Sequence, residues 1–110
     1  ARLKVFELAR FPNTYIKITG LGEFCRRAIP VTEPFPFVRP LPDYLARAYN
    51  SFGPTRMMWG SDYPPVSGRE GYTNALRLTL AELEALPNFS AADREQIFGT
   101  TALSVFTPRP

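Results

Sequence analysis

The stretch of sequence that decides the fold reads Arg56-Met57-Met58-Trp59-Gly60-Ser61-Asp62-Tyr63-Pro64. Its first five residues are mostly apolar and come after the helix-stopping pair Gly53-Pro54, which predicts a short strand over residues 56–60. Asp62 then stands at the C-terminal end of this strand, where parallel α/β folds build their active sites. A turn or cap is the structural alternative, because Ser-Asp before proline is common turn chemistry. The spacing alone leaves both a catalytic and a structural Asp62 open.

A second strand is predicted upstream, over residues 14–19, which are rich in β-branched and aromatic side chains. In this strand Ile16 and Ile18 would point to one face and Lys17 to the other. Residues 20–42 hold five of the twelve prolines and predict a long loop, and residues 43–52 predict a helix. Strands that alternate with helices pair in parallel. The predicted fold class is therefore α/β, with two parallel strands and covering helices. Further strands are expected from elsewhere, because such a pair leaves both sheet edges open.

Helical patterns flank the two strands. Residues 2–10 fit the end of an amphipathic helix, and residues 73–86 predict a helix that buries one leucine stripe. After it, Ser90 predicts an N-cap with Asp93 three residues further on, and Gly99 is expected to close that helix. The stripe consists of Leu76, Leu80, Leu83 and Leu86, and a last short helix from Thr100 or Thr101 is expected to bury Leu103 and Phe106.

Composition excludes several classes of function. The chain has 110 residues, 45% of them hydrophobic, and its thirteen basic side chains are scattered rather than clustered, which argues against a nucleic-acid surface. No run approaches the ~20 apolar residues of a membrane span. The one cysteine, Cys25, favours a reducing cytoplasmic location. The chain has no histidine, so Ser-His and Cys-His catalysis and histidine-based zinc sites cannot be built from these residues alone.

The stretch over residues 56–64 resembles the eighth-strand motif of the amidohydrolase-2 family, which runs arginine, apolar residues, an aromatic, then Gly-Ser/Thr-Asp-aromatic-Pro. Residues 11–20 resemble the seventh strand of that family, and residues 52–56 resemble the lead-in to strand eight. Residues 92–99, together with Ala102, Leu103 and Phe106, resemble the closing helices. The resemblance therefore extends over nearly the whole chain.

The resemblance implies that residues 1–110 form the C-terminal portion of a (β/α)8 TIM-barrel hydrolase, which needs ~250 residues in full. The missing starter methionine likewise suggests a chain cut from something longer. In the family, the aspartate that matches Asp62 contacts a divalent metal, zinc by preference, and moves a proton. The histidine ligands of the family have no counterpart here, and some lactonases of the family work without a metal. We therefore expect no metal on the isolated chain.

The implied reaction is hydrolysis of a lactone or of another cyclic or carboxylic C–O or C–N bond in a small-molecule substrate, with Asp62 as general acid and base. The other residues proposed for the substrate site are Glu23, Arg26, Arg27 and Tyr63. A solvated loop is the alternative for Glu23 and the two arginines, and Tyr63 either lines or covers the pocket. Arg69, Glu70 and Tyr72 come after strand eight, either beside the same rim or in a solvated turn.

Two further interpretations stay open. The family also contains decarboxylases, and a chain without histidine could be a non-catalytic fragment that folds by association. The expected partners are the missing N-terminal barrel segment or a second copy of the chain. Trp59 is predicted to pack between strand and helix. Lys17 either points into the barrel towards a missing carboxylate or lies in solvent at an open edge.

Overall fold

A computed structural model describes residues 2–27 and 36–106. Two short strands form its sheet, β1 over Ile16–Ile18 and β2 over Met57–Trp59. They pair in parallel, with Ile16 opposite Met57 and Ile18 opposite Trp59. The predicted α/β class is thus confirmed, although each strand is only three residues long. The predicted membership of a closed barrel stays a prediction, because the described residues supply only these two strands.

The helices of the described residues cover the sheet in the expected order. A 3-10 helix over Arg2–Arg10 precedes β1, where an amphipathic α-helix was predicted. Helix α1 spans Tyr44–Ser51 and connects the two strands, and α2 spans Tyr72–Glu84. Further short 3-10 turns lie at Leu21–Glu23, Pro54–Arg56 and Pro65–Gly68. None of these helices is both long and apolar enough to traverse a lipid bilayer.

Helix α2 buries a different face from the predicted leucine stripe. Leu83 is fully buried, but Leu76 is 36% exposed and Leu80 and Leu86 are only partly covered. The face turned inwards carries Ala75, Leu78, Thr79 and Leu83. At Ala75 this face approaches Gly20 in the chain that leaves β1 closely, so a small side chain fits there. One turn further on, the Thr79 hydroxyl donates to the Thr19 carbonyl over 3.3 Å. The leucine pattern was misleading because this helix is apolar on more than one face.

The C-terminal helix is longer than predicted. Ser90 and Asp93 form the expected capping box, with Asp93 N–H donating to Ser90 Oγ over 3.1 Å and Ser90 N–H to Asp93 Oδ2 over 3.0 Å. Helix α3 (Ala91–Glu95) continues through a π-helical segment, Gln96–Thr100, into α4 (Thr101–Val105). Gly99 lies inside the π-helical segment, so the prediction that it ends the helix is wrong.

The expected burial at the end of this helix is also wrong. Leu103 and Phe106 are 59% and 67% exposed, and the buried side chains there are Ile97 and Thr101. The π-helical segment shifts the face that α4 presents, since an extra residue in one turn rotates every later side chain about the helix axis. Thr101 then points inwards, and its hydroxyl donates to the Pro54 carbonyl over 2.7 Å.

The core lies around β2 and the turn after it. Met57, Val66, Leu21, Leu83 and Ile97 are fully buried or nearly so. Trp59 packs between two other aromatic side chains, Tyr72 at 6.0 Å and Phe98 at 5.8 Å between ring centroids, which confirms its predicted core role.

Arg56, the first residue of the deciding stretch, has a structural role. Its Nη1 donates to the Phe11 carbonyl and its Nη2 to the Ala9 carbonyl, each over 3.0 Å. These bonds satisfy carbonyls at the end of the first 3-10 helix and attach that helix to the start of β2. These bonds fix the N-terminal end of β2, and the residues that follow its C-terminal end are therefore held in a defined position.

Candidate active site

Asp62 lies shortly beyond the end of β2 in a left-handed backbone conformation, with φ of +56°. The turn around it is hydrogen-bonded: Tyr63 N–H donates to Ser61 Oγ over 3.2 Å, and Val66 N–H donates to the Asp62 carbonyl over 3.0 Å. Aspartate tolerates this region better than most residues, yet such strain is typically maintained where function requires it. The turn places the half-buried Asp62 carboxylate 2.9 Å from the guanidinium of Arg69, in the turn that precedes α2.

Arg69 joins Asp62 to the other strand. Its Nη2 donates to Asp62 Oδ2 over 2.9 Å and its Nη1 donates to Glu23 Oε2 over 3.0 Å. The Arg69 side chain is only 16% exposed, whereas Glu23 is 50% exposed. The structure thus brings Glu23 and Asp62 together at the C-terminal ends of the two parallel strands, with a guanidinium between them.

Glu70 lies directly beneath this ion pair. Its side chain is fully buried, and its Oε1 lies 3.8 Å from Arg69 Nε, longer than a hydrogen bond. Neither Glu70 carboxylate oxygen, nor Arg69 Nε, has a hydrogen-bond partner in the described part of the chain. Burial raises the pKa of Glu70, and the nearby Gly22 amide and the Arg69 charge offset only part of that rise.

The sequence predicted only that Arg69 and Glu70 lie either beside the rim of the substrate site or in a solvated turn. Their burial excludes the solvated turn for both. The sequence does contain a signal in the pair Gly20 and Gly22: a β-carbon at Gly22 would overlap the Glu70 carboxylate, and one at Gly20 would lie 2.9 Å from Glu70 Oε1. Two glycines one residue apart after a strand thus indicate that another group approaches the backbone closely.

The remaining predicted site residues lie at different distances from this centre. Arg27 approaches it, with Nη1 3.5 Å from the Gly22 carbonyl, and its positive charge lowers the pKa of Glu70 slightly against the effect of burial. Arg26 is exposed and faces a shallow hollow with Val38 and Pro42, away from the Arg69 ion pairs. Tyr63 is 70% exposed and forms no part of those ion pairs. Lys17 is exposed and makes no ion pair with any described residue.

The described residues do not form a metal site by themselves. No group of three metal-binding side chains lies together in residues 2–27 and 36–106. Asp62 offers one carboxylate, and the Arg69 guanidinium 2.9 Å away would repel a divalent cation bound there. The zinc that the family resemblance implies therefore does not fit the residues present.

A hollow of about 290 Å³ lies along β1. Lys17, Thr19 and Glu23 give it polar groups, while the surrounding side chains are mainly apolar. Most small-molecule sites combine an apolar lining with a few polar groups in this way. Glu23 belongs both to this hollow and to the Arg69 ion pairs.

Comparison with known proteins gives a consistent result. The family model described as amidohydrolase matches residues 5–107. An L-fucono-1,5-lactonase of Burkholderia multivorans is 31% identical over 112 aligned positions, which take in 99% of this chain. They take in 36% of the lactonase, so the chain spans about a third of the length of that relative. No match was found among solved structures.

Proposed function

We propose that this chain, which belongs to the amidohydrolase-2 family, carries the proton-transferring aspartate of a lactone hydrolase. In this proposal residues 1–110 supply the C-terminal strands of a TIM barrel, and the rest of the complete protein supplies the other strands. The lactone is proposed because the relative that is 31% identical is an L-fucono-1,5-lactonase. The observation that carries the proposal is the geometry of Asp62.

Hydrolysis of a lactone requires a proton to leave water and a proton to reach the ring oxygen. Water adds to the lactone carbonyl carbon as its proton moves to a base, and a tetrahedral intermediate forms. The bond from that carbon to the ring oxygen then breaks, and the same proton is delivered to the departing alkoxide. The product is the open hydroxy acid, and the base returns to its original state.

Asp62 has a free oxygen for this proton. Its Oδ2 accepts the hydrogen bond from Arg69, while no hydrogen bond within the described residues reaches Oδ1. The carboxylate is half-buried, with 34% of the side chain exposed, so one face is open to water and substrate. Oδ1 is therefore the atom that would take the proton from water and return it to the ring oxygen.

The backbone at Asp62 supports a functional role over a purely structural turn. A turn could be made at lower cost by glycine or asparagine at a φ of +56°. Aspartate here supplies a charged carboxylate at the end of β2, where active sites of parallel α/β proteins are built. This carboxylate accepts from Arg69 Nη2 over 2.9 Å, and through Arg69 it is connected to Glu23 in the loop after β1.

The test is Asp62→Asn in the complete protein, assayed with aldono-1,5-lactones by the acid released. General acid-base groups contribute about 10²–10⁴-fold in rate, so kcat should fall by at least 10²-fold while thermal stability changes little. Asp43→Asn is the matched control, because Asp43 is exposed and its ion pair within the described residues is with Arg47 at the surface. Asp62→Asn with more than about a third of wild-type turnover would make Asp62 structural. A complete protein that leaves these lactones intact but releases carbon dioxide from a carboxylic-acid substrate would favour the decarboxylase alternative.

A further inference from the structure

We propose that Arg69 is a positioning residue for this reaction: it holds Asp62 Oδ2 so that Oδ1 alone meets the reacting water. This inference rests on the proposed function, since it assigns Asp62 the proton transfer. It adds a residue outside the deciding stretch, in the turn that leads into α2.

The contacts of Arg69 fix its guanidinium plane. Two different nitrogens reach two carboxylates that come from two different loops, Asp62 after β2 and Glu23 after β1. A guanidinium is planar and its N–H groups point in fixed directions, so two such bonds define its orientation. A lysine ammonium is a compact charge with rotatable donors, so it would not hold the two carboxylates in one fixed orientation as the planar guanidinium does. Arg69 therefore orients Asp62 and also ties the ends of both strands together.

The turn that carries Arg69 is itself well anchored. Arg69 N–H and Gly71 N–H both donate to the Val66 carbonyl over 3.0 Å, and Val66 is fully buried. Below the guanidinium, the buried Glu70 carboxylate lies 3.8 Å from Arg69 Nε. The arginine is thus held by its backbone, by a buried negative charge and by two hydrogen bonds, which is the support that a positioning residue needs.

Charge balance makes the arginine hard to replace. Asp62, Glu23 and Glu70 lie at 2.9, 3.0 and 3.8 Å from the Arg69 guanidinium, so it separates three carboxyl groups that would otherwise repel one another. Without it, the Asp62 carboxylate has no partner to fix its rotation, and Oδ1 and Oδ2 become exchangeable. Small misplacements of a reacting group can cost about 10²-fold in rate.

The experiment compares Arg69→Gln and Arg69→Lys in the complete protein, with Asp62→Asn alongside and Arg77→Gln as control. Arg77 is exposed on α2, and its side-chain hydrogen bond in the described part of the chain goes to Asn74. We expect kcat to fall about 10²-fold in Arg69→Gln, with KM changed less than about threefold. Arg69→Lys should lie between wild type and Arg69→Gln. In Arg69→Ala, which leaves the guanidinium site empty, added guanidinium should raise kcat by at least about tenfold without a matching rise in melting temperature, whereas refilling the site of a merely structural arginine would raise both together.

The outcomes separate this inference from the proposed function. If Asp62→Asn is inactive while Arg69→Gln keeps at least half of the wild-type kcat, the positioning role is overturned and the proposed function stands. If Asp62→Asn is as active as wild type, both fall. Equal losses in the glutamine and lysine variants, without guanidinium rescue of Arg69→Ala, would show a structural role and overturn the inference.

A milder variant keeps the inference testable if Arg69→Gln does not fold. Glu23→Gln removes the charge from the half-exposed partner of Arg69 Nη1 and leaves the Asp62 contact in place. Exposed ion pairs are worth up to about 1 kcal/mol, and the same amount added to the activation free energy through a less well oriented Arg69 would lower kcat about fivefold. We therefore expect kcat of Glu23→Gln to fall about three- to fivefold. An unchanged kcat in Glu23→Gln would overturn the proposal that the Arg69–Glu23 ion pair helps to position Asp62.

Discussion

The Glu70 carboxylate occupies the space beside Gly22 that a β-carbon would need. Gly20 is equally confined, because a β-carbon there would lie 2.7 Å from the Ala75 β-carbon near the start of α2. The loop after β1 and the turn before α2 therefore fit together only when both positions lack side chains. This fit places Glu70, and with it Arg69 and Asp62, at the end of the sheet.

Gly22→Ala is expected to destabilise the complete protein by about 1–3 kcal/mol, the usual cost of overpacking a filled site. Gly68→Ala is the matched control, since a β-carbon there meets no atom within 4 Å and its backbone is not left-handed. Thermal unfolding of both variants measures the difference. In combination with Glu70→Ala, the Gly22→Ala cost should shrink, because the overlapping group is gone. Equal melting temperatures for the two glycine variants would contradict this packing.

Glu70 should make stability depend on pH. Burial raises its pKa in the folded protein above the ordinary value of 4.5, so the folded state binds this proton more tightly than the unfolded state. Its favourable contribution is complete below pH 4.5 and is lost as pH rises through the raised folded pKa.

Glu70→Gln should therefore gain stability relative to wild type as pH rises above 4.5, because the amide stays neutral. Urea unfolding of both proteins at several pH values measures this difference, and Glu95→Gln on the surface corrects for the loss of one negative charge. A constant difference between Glu70→Gln and wild type across that range would show that the buried carboxyl does not titrate as proposed.

The sequence predicted the parts of this molecule that depend on local chemistry. Alternating β-branched residues predicted β1, the Gly53-Pro54 stop predicted the end of α1, and the Ser90–Asp93 spacing predicted the capping box. Each of these signals lies within a few neighbouring residues. The position of Asp62 at the end of β2 was predictable in the same way, because strand and turn are adjacent in the chain.

Features that depend on packing between distant segments could not be predicted in the same way. The partner of Asp62 is Arg69, whose second partner Glu23 lies 46 residues earlier in the chain. The face that α2 buries depends on how closely α2 approaches Gly20. The π-helical segment, which changes the direction of the Leu103 and Phe106 side chains, has no simple pattern in the sequence. Each of these features depends on contact between two segments that are distant in the chain, and a local residue pattern describes only one of the two segments.

Cys25 should be unreactive in the folded protein. Its thiol is 6% exposed, and burial, reinforced by the charges of Glu82 and Glu70, raises its pKa from 9.0 to about 11. Only the thiolate reacts, so at pH about 8 the reactive fraction falls about 100-fold relative to an unshifted thiol. Modification by Ellman's reagent, measured with and without urea, tests this protection. Equally rapid modification with and without urea would contradict the burial of Cys25.

The two-stranded sheet leaves backbone groups open at its edges. The apolar side chains Ile18 and Met57 of the strands are covered, since Ile18 is 7% exposed and Met57 is fully buried. The Ile18 carbonyl accepts from Gly60 N–H over 2.9 Å and so faces β2, which turns the amide of its neighbour Lys17 away from the sheet. Unpaired edge groups of this kind invite pairing with another chain.

We therefore expect the isolated chain to show helical far-UV circular dichroism but to sediment as a dimer or larger species at ~100 μM, a concentration at which exposed edges associate. Lys17→Pro removes the outward N–H at the edge and should shift the chain towards monomer. Leu103→Lys is the matched comparison, because its 59% exposed side chain lies on α4 and not on the β1 edge that carries Lys17. Association that Leu103→Lys abolishes and Lys17→Pro leaves intact would assign the contact to α4. A wild-type chain that stays monomeric and unfolds in one sharp transition would be a self-sufficient domain, and the half-barrel proposal would have to be abandoned.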